Sequence, residues 1–391
     1  MARKINGKRK YAVMFLLVSF IANCGLFGFP DNEEDPDLAT LIALIGGIEN
    51  SACLLVWSGV EVPGCEVALS GDVTTLAGSG TQGATDGTGI AADFNLPQGM
   101  TTDGTSLYVV GTQSHLIRKI VIASGEVTTL AGSGSASYAD GNGTAASFNG
   151  PHSITSDGKY LYVADTLNNR IRKIDPATME VTTVAGSGSS SYSDGIGTGA
   201  AFSQPHGITC DGKNLYVADT ANHRIRKIVI ESGVVTTVAG SGASGFSNGS
   251  GSSATFDTPY GITTDGTNLY VADRSNHAIR KIVIASREVS TVAGNGSGGH
   301  SDGTGAGAQL QYPEDVTTDG TNLFVADRHN HMIRKIVLST GKVTSIVGST
   351  SSGFADGHGS NARFHYPTGI TTDGRDLYVS DHANNRIRKV E

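Results

Sequence analysis

The chain has 391 residues, of which 53 are Gly and only 16% are charged, against roughly 7% Gly and about 25% charged in ordinary usage. Hydrophobic content of 38%, with 12 Tyr and 12 Phe, supplies a core and excludes disorder throughout; Gly is not at every third position and Pro numbers only 10, which excludes collagen. The formal charge is −8; taking the five basic residues of the first ten positions from 28 leaves 23 against 36 acidic, a net −13, which opposes binding to phosphate backbones.

Residues 1–23 read as a secretory signal peptide: Arg3, Lys4, Lys8, Arg9 and Lys10 precede an apolar run, Tyr11 to Ile21, and then small residues. The run is too short to span a bilayer, and no later stretch reaches about 18 apolar residues. Ile21-Ala22-Asn23-Cys24 resembles the bacterial lipobox, with Asn23 departing from the usual Gly, Ala or Ser, and the resemblance implies lipidation of Cys24. The alternative is ordinary cleavage nearby with Cys24 a free thiol. Residues 24–37 then form an acidic, lipid-anchored tether, with Asp31, Glu33, Glu34, Asp35 and Asp37 around Pro36 keeping it extended. Residues 38–72 are an extension of unassigned structure holding Trp57, Cys53 and Cys65; export makes a Cys53 to Cys65 disulfide reasonable. Cys210 falls where other copies of the repeat described next mostly have Thr, and reads as a small buried residue.

From residue 73 to 391 the chain repeats every 54 residues. Leu-Tyr-Val begins at Leu107, Leu161, Leu215, Leu269 and Leu377, with Leu-Phe-Val at Leu323; Ile-Arg-Lys begins at Ile117, Ile171, Ile225, Ile279 and Ile333, and Ile387-Arg-Lys completes six copies. Each copy predicts four short strands: one after a Pro, then Leu-Tyr-Val-Ala-Asp, Arg-Ile-Arg-Lys-Ile and Val-Thr-Thr-Val-Ala. Asp-Gly pairs at Asp103, Asp157, Asp211, Asp265, Asp319 and Asp373 predict hairpins in which both turn residues take positive φ. Each copy is therefore an antiparallel meander, too small to stand alone.

The chain order says how the copies stack. A fourth-type strand at 73–77 comes first, five complete copies follow, and the last copy ends after its third strand at Val390. Pairing the spare strand with the incomplete sheet closes a ring of six four-stranded blades and removes the open edges. Pro-x-Gly-Ile-x-x-Asp-Gly-x-x-Leu-Tyr-Val-Ala-Asp-x-x-Asn-x-Arg-Ile-Arg-Lys at residues 205–227 resembles the NHL repeat. Six copies are similar to an all-β, six-bladed NHL β-propeller closed by its N-terminal strand.

Near-identical copies align one another, so positions that differ stand out. Asp165, Asp219, Asp273, Asp327 and Asp381, each followed three residues later by Asn168, Asn222, Asn276, Asn330 or Asn384, read as turn bonding. Copy one has Val110-Gly111 and Ser114 instead, so its turn should bond differently. The loops with Asp86, Asp140, Asp194, Asn248, Asp302 and Asp356 offer too few carboxylates for calcium and read as Gly-shaped turns. In them Phe94, Phe148, Phe202, Phe256, Leu310 or Phe364 plugs between blades. His223, His277, His331, His329, His358, His365 and His382 read as surface titrating groups.

The informative position follows the repeated Pro: Gln98, His152, His206, Tyr260, Glu314 and Thr368. The resemblance places the first strand of each blade along the central channel, and hence these six side chains at its mouth, as a ligand-binding site. Gly99, Ser153, Gly207, Gly261 and Gly369, with Asp315 the exception, let the backbones approach the axis. His152, His206 and Glu314 are candidate ligands for a divalent metal, with Tyr260 as acid or base; some similar lyases bind zinc through channel histidines. No cofactor is otherwise indicated. Some animal relatives of the repeat bind RNA through a basic face, which the acidic balance here opposes.

These readings converge on an exported, lipid-anchored propeller of the bacterial envelope, at the outer membrane or cell surface rather than the inner membrane. It is expected to be a monomer and to act as a binding or scaffold module for a protein or small-molecule ligand. The alternatives are a metal-dependent lyase or hydrolase at the channel and a structural spacer.

Overall fold

The computed structural model describes residues 67–391. The signal peptide, Cys24, the tether, and Cys53 with Cys65 lie outside them. Among the described residues no helix is long and apolar enough to cross a membrane.

Six antiparallel sheets follow the 54-residue period. In blade 3 the order from the axis outward is Pro205–Cys210, Asn214–Asp219, Arg224–Val229 and Val234–Ala239. The sheet has five strands rather than the expected four. The extra one, Gly195–Ile196, comes from the loop entering the blade and pairs with Val234 and Val235, covering an edge that would otherwise stay open. Two residues of Gly-x carry no β-propensity signal, which is why pattern reading passes over it.

The Asp-Gly turns also differ from expectation. Only the glycine has positive φ, as at Gly212, φ 85°; Asp211 instead folds the loop through its side chain. Its Oδ1 accepts from Lys213 N and Asn214 N at 2.9 and 2.7 Å, and its Oδ2 from Tyr216 Oη at 3.0 Å. Four other blades repeat the tyrosine bond. Blade 5 has Phe324, and there Asp319 Oδ2 accepts the Val67 amide at 3.1 Å. Val67 packs with Phe324 and Leu377, so the chain enters the ring on the Asp-Gly face.

Closure is as the chain order implies. Asp72–Ala77 pairs with Arg386–Val390, Val73 opposite Val390 and Thr74 opposite Lys389, with a bulge before Ala77. Gly71 N donates to Glu391 O at 2.7 Å and Glu391 N to Asp72 O at 2.9 Å. Each core lies between two blades: Phe148 joins Val110, Ile117 and Leu130 of blade 1 to Ile154, Leu161 and Val163 of blade 2. All six loop plugs are buried, each worth roughly 2–3 kcal/mol of apolar burial.

The arginines of Ile-Arg-Lys are not surface charges. Arg118, Arg172, Arg226, Arg280, Arg334 and Arg388 are at most 1% exposed. Arg226 donates to Asp219 Oδ2 at 2.7 Å, Asp194 Oδ1 at 2.8 Å and the carbonyls of Ala201 and Ser193. The loop aspartate thus ties the fourth-to-first loop to the blade, while Asp219 also accepts from Asn222 and the Ser203 amide, the turn bonding expected of it. In blade 1 Gly111 removes the buried carboxylate, and Arg118 keeps only Asp86 and two carbonyls; burial holds its pKa down.

Candidate functional site

Five inner strands open with the repeated Pro and that of blade 2 starts two residues after it, at Ser153; the residue before each Pro sits in the left-handed region: Leu96, Gly150, Gln204, Thr258, Tyr312 and Tyr366, φ from 49° to 55°. Non-glycine residues there cost on the order of 1 kcal/mol or more, so something must hold them. The holder is the preceding blade. The Thr258, Tyr312 and Tyr366 amides donate to Nδ1 of His223, His277 and His331 at 3.2, 3.1 and 3.1 Å, and Gly150 donates to His115 Nδ1 at 3.1 Å. Gln204 and Leu96 donate to the Oδ1 atoms of Asn169 and Asn385 at 2.9 and 3.0 Å. His223, His277 and His331 are therefore not free surface groups: with His115 they are clasps between blades, and each must present an unprotonated Nδ1. Burial lowers the pKa of His115, His277 and His331.

Past the Pro, the six predicted side chains converge on the axis. His152 and His206 meet edge to face at 4.4 Å, His206 stacks on Tyr260 at 4.2 Å, and His152 Nε2 faces Glu314 Oε1 at 4.0 Å. Gln98 and Thr368 complete the ring; Thr368 Oγ1 donates to Pro97 O, and Gln98 Oε1 is buried without a partner. Burial pushes His206 down to about 4 and His152 well below the ordinary histidine range, so both rings are neutral.

Directly beneath, the small residues bring the backbones together. A Cβ at Gly207 would run into the Tyr260 carbonyl, and one at Gly369 into that of Gln98. Asp315 breaks the series: its Oδ1 accepts from Val316 N at 2.9 Å and its Oδ2 from Ile370 N at 3.1 Å, and its depth in the channel pushes its carboxyl up to about 7. A cell of about 10 Å³ remains at this waist, the volume of one water. Below it a cavity of about 470 Å³, lined by inner strands and Asp-Gly turns, opens to the other face.

Sequence reading missed a second ring. In blades 1–3 the residue after the second strand is Thr112, Thr166 or Thr220, each donating to the carbonyl of the next blade's Pro at 2.6–2.7 Å. Blades 4–6 have Arg274, Arg328 and His382 there, and these reach the mouth. Arg274 Nε donates to Glu314 Oε2 at 2.9 Å, Arg328 Nε lies 3.9 Å from the same oxygen, and His382 Nδ1 bonds Pro97 O at 3.1 Å. Both guanidinium groups lie on tyrosine faces, Arg274 between Tyr260 and Tyr312 at 4.8 and 5.1 Å and Arg328 over Tyr366 at 4.9 Å. The same 54-residue alignment that exposed the first ring holds the signal. His382 and His329 are likewise not ordinary surface groups: burial first, then Arg328, pushes His329 down to about 4, and burial holds His382 at about 4.

Glu314 is taken by Arg274 at 2.9 Å with Arg328 3.9 Å away, charges that oppose a cation there, while the bond of His206 Nδ1 to Gln204 O at 2.8 Å leaves its Nε2 open. Among the described residues no three His, Cys, Asp or Glu side chains gather as ligands.

A family model, the NHL repeat, matches residues 202–228. The chain is similar to Protein SUPPRESSOR OF QUENCHING 1 of Arabidopsis thaliana, 31% identical over 287 residues, which are 68% of this chain and 27% of that protein. It is also similar to NHL repeat-containing protein 2 of Homo sapiens, 28% identical over 338 residues, 73% of this chain and 45% of that one. The chain thus spans less than half the length of these curated relatives. Among solved structures, an auxiliary nutrient binding protein from Bacteroides thetaiotaomicron aligns with a TM-score of 0.62 at 19% identity, over 82% of this chain and 76% of the other. At that identity the likeness is one of fold.

Proposed function

From a chain that belongs to the NHL-repeat six-bladed β-propellers, we propose a binding module of the bacterial envelope that takes its ligand at the channel mouth. The observation that carries this reading is the break in symmetry. Four blades spend the position after the second strand on a bond to the next blade's proline carbonyl, three through threonine and one through His382, and two spend it on Arg274 and Arg328 turned to the mouth. A scaffold alone has no use for that difference. The rigid rings around it, neutral histidines and a half-buried tyrosine, suit recognition more than proton transfer. The fold it shares with a nutrient-binding protein from Bacteroides thetaiotaomicron supports the reading, as do the signal-like leader and Cys24. The lipid on Cys24 would hold the ring at the envelope.

Pull-down from envelope extracts tests the binding role, using the intact ring and a variant changed together at Gln98, His152, His206, Tyr260, Glu314 and Thr368, its folding checked by thermal melting. Capture by the first and loss from the second is expected; equal capture by a folded variant sinks the proposal. Palmitate labelling of wild type and Cys24→Ala tests the anchor, and equal labelling of the two ends it.

A further inference from the structure

Resting on that reading, we propose that the mouth takes a small anion, with a carboxylate or phosphoryl oxygen seated on Arg328 and Arg274. The charge count around the axis favours it. Two guanidinium groups face one carboxylate, Glu314; Asp315, one layer deeper, is pushed up to about 7 and carries at most part of a charge, and the neighbouring imidazoles of His152, His206, His329 and His382 stay neutral through burial. The mouth is thus a positive spot in a chain whose formal charge is −8.

The donors are also prepared. Arg328 bonds only His329 Nε2 through one terminal nitrogen at 3.1 Å, and its Nε is buried without a hydrogen-bond partner. Stacking on Tyr366 fixes the plane of the group, so little rotamer freedom is lost when an oxyanion arrives. The arginine pair is held at the rim, its side chains 21% and 19% exposed, where a ligand can reach it. Gln98 Oε1, buried at the mouth and unpaired, is an acceptor for a hydroxyl or a water carried in with the ligand. The backbone is indifferent to these side chains, because blades 2 and 3 make the same turn with threonine.

The test is calorimetric titration of the folded ring with sodium phosphate and, separately, sodium acetate, against a chloride background of equal ionic strength. One saturable site is expected. Arg328→Thr should weaken it at least tenfold, the loss of one charge-assisted hydrogen bond, and Lys342→Gln on the opposite face should leave it unchanged. Arg274→Thr combined with Glu314→Gln removes the ion pair together and should weaken binding in the same way if Arg328→Thr proves unstable. Tighter phosphate identifies a phosphoryl ligand and tighter acetate a carboxylate. No saturable binding of either anion up to 100 mM, or equal weakening by Lys342→Gln, overturns the inference. Should the envelope ligand bind Arg328→Thr as well as it binds wild type, yet fail on the six-position variant, the anion inference falls and the binding role stands.

Discussion

Replacing His115, His223, His277 and His331 together by asparagine should leave the ring as stable at pH 7.5 and make it much less sensitive to acid. Blades 2 and 6 already carry the replacement: Asn169 and Asn385 accept the same pre-proline amide at 2.9 and 3.0 Å. The histidine clasps work only with Nδ1 unprotonated. In the unfolded chain histidine takes its proton near pH 6.5; in the ring, burial lowers the value for His115, His277 and His331. Stability from these groups is therefore complete above about pH 6.5. It falls as pH drops below that, where the unfolded chain binds more protons, until the folded values are reached. Linkage caps the loss at about 2 kcal/mol per group by pH 5, and a lost hydrogen bond is worth about 1 kcal/mol, so the three clasps with lowered values amount to about 3 kcal/mol. Around them, Arg328 and His365 face His331 and Arg274 faces His277, all opposing a proton, while the Asp165 carboxylate near His115 favours one without outweighing burial. His152, His206, His329 and His382 shift in the same direction and remain in the variant, so its acid sensitivity shrinks without vanishing. Thermal melts followed by circular dichroism from pH 7.5 to 5.0 read the difference, on the order of 5–10 °C at the acid end. Parallel pH curves for wild type and the fourfold variant would refute the clasp.

Gly111→Asp with Ser114→Asn gives Arg118 the buried carboxylate that five blades supply to its counterparts, and should raise stability by about 1 kcal/mol; an unchanged or lowered melting temperature counts against it. Asp219→Ala leaves buried Arg226 with Asp194 and two carbonyls and the Ser203 amide without its acceptor, and should cost about 1–3 kcal/mol in urea unfolding, whereas Asp194→Ala, whose carboxylate is 45% exposed, should cost about 1 kcal/mol or less. Phe324→Tyr would put a hydroxyl in competition with the Val67 amide for Asp319 Oδ2. Protease cleavage just before residue 67 should then speed up, and an unchanged rate would mean that the amide bond does not hold the segment.

The six blades and their closure were legible because a 54-residue period needs nothing beyond the chain itself, and because a strand spare at one end and missing at the other admits one ring. The mouth residues stood out by differing where their neighbours agree. Arg274, Arg328 and His382 differ in the same way, but they follow an aspartate that draws attention to turn bonding, and their partners lie in the next blade. Distance hid the clasps as well: His277 serves Tyr312, 35 residues on, and no local motif announces a hydrogen bond between copies. The burial of the arginines had no local signal, because the carboxylates that neutralise Arg226 inside the blade, Asp219 and Asp194, lie 7 and 32 residues upstream of it.

The seam at Asp72–Ala77 also sets a timetable. Ser70 Oγ donates to the carbonyl of Glu391, 321 residues away, so the strand made first waits for the one made last. Until then five blades stand as an arc with an unmated edge at each end, the kind of edge that recruits neighbours, and contacts of such long range assemble slowly. A ribosome stall, or a cut removing the last few residues, would leave both ends unlatched at once, and the arc would be prone to pairing with another molecule's free strand.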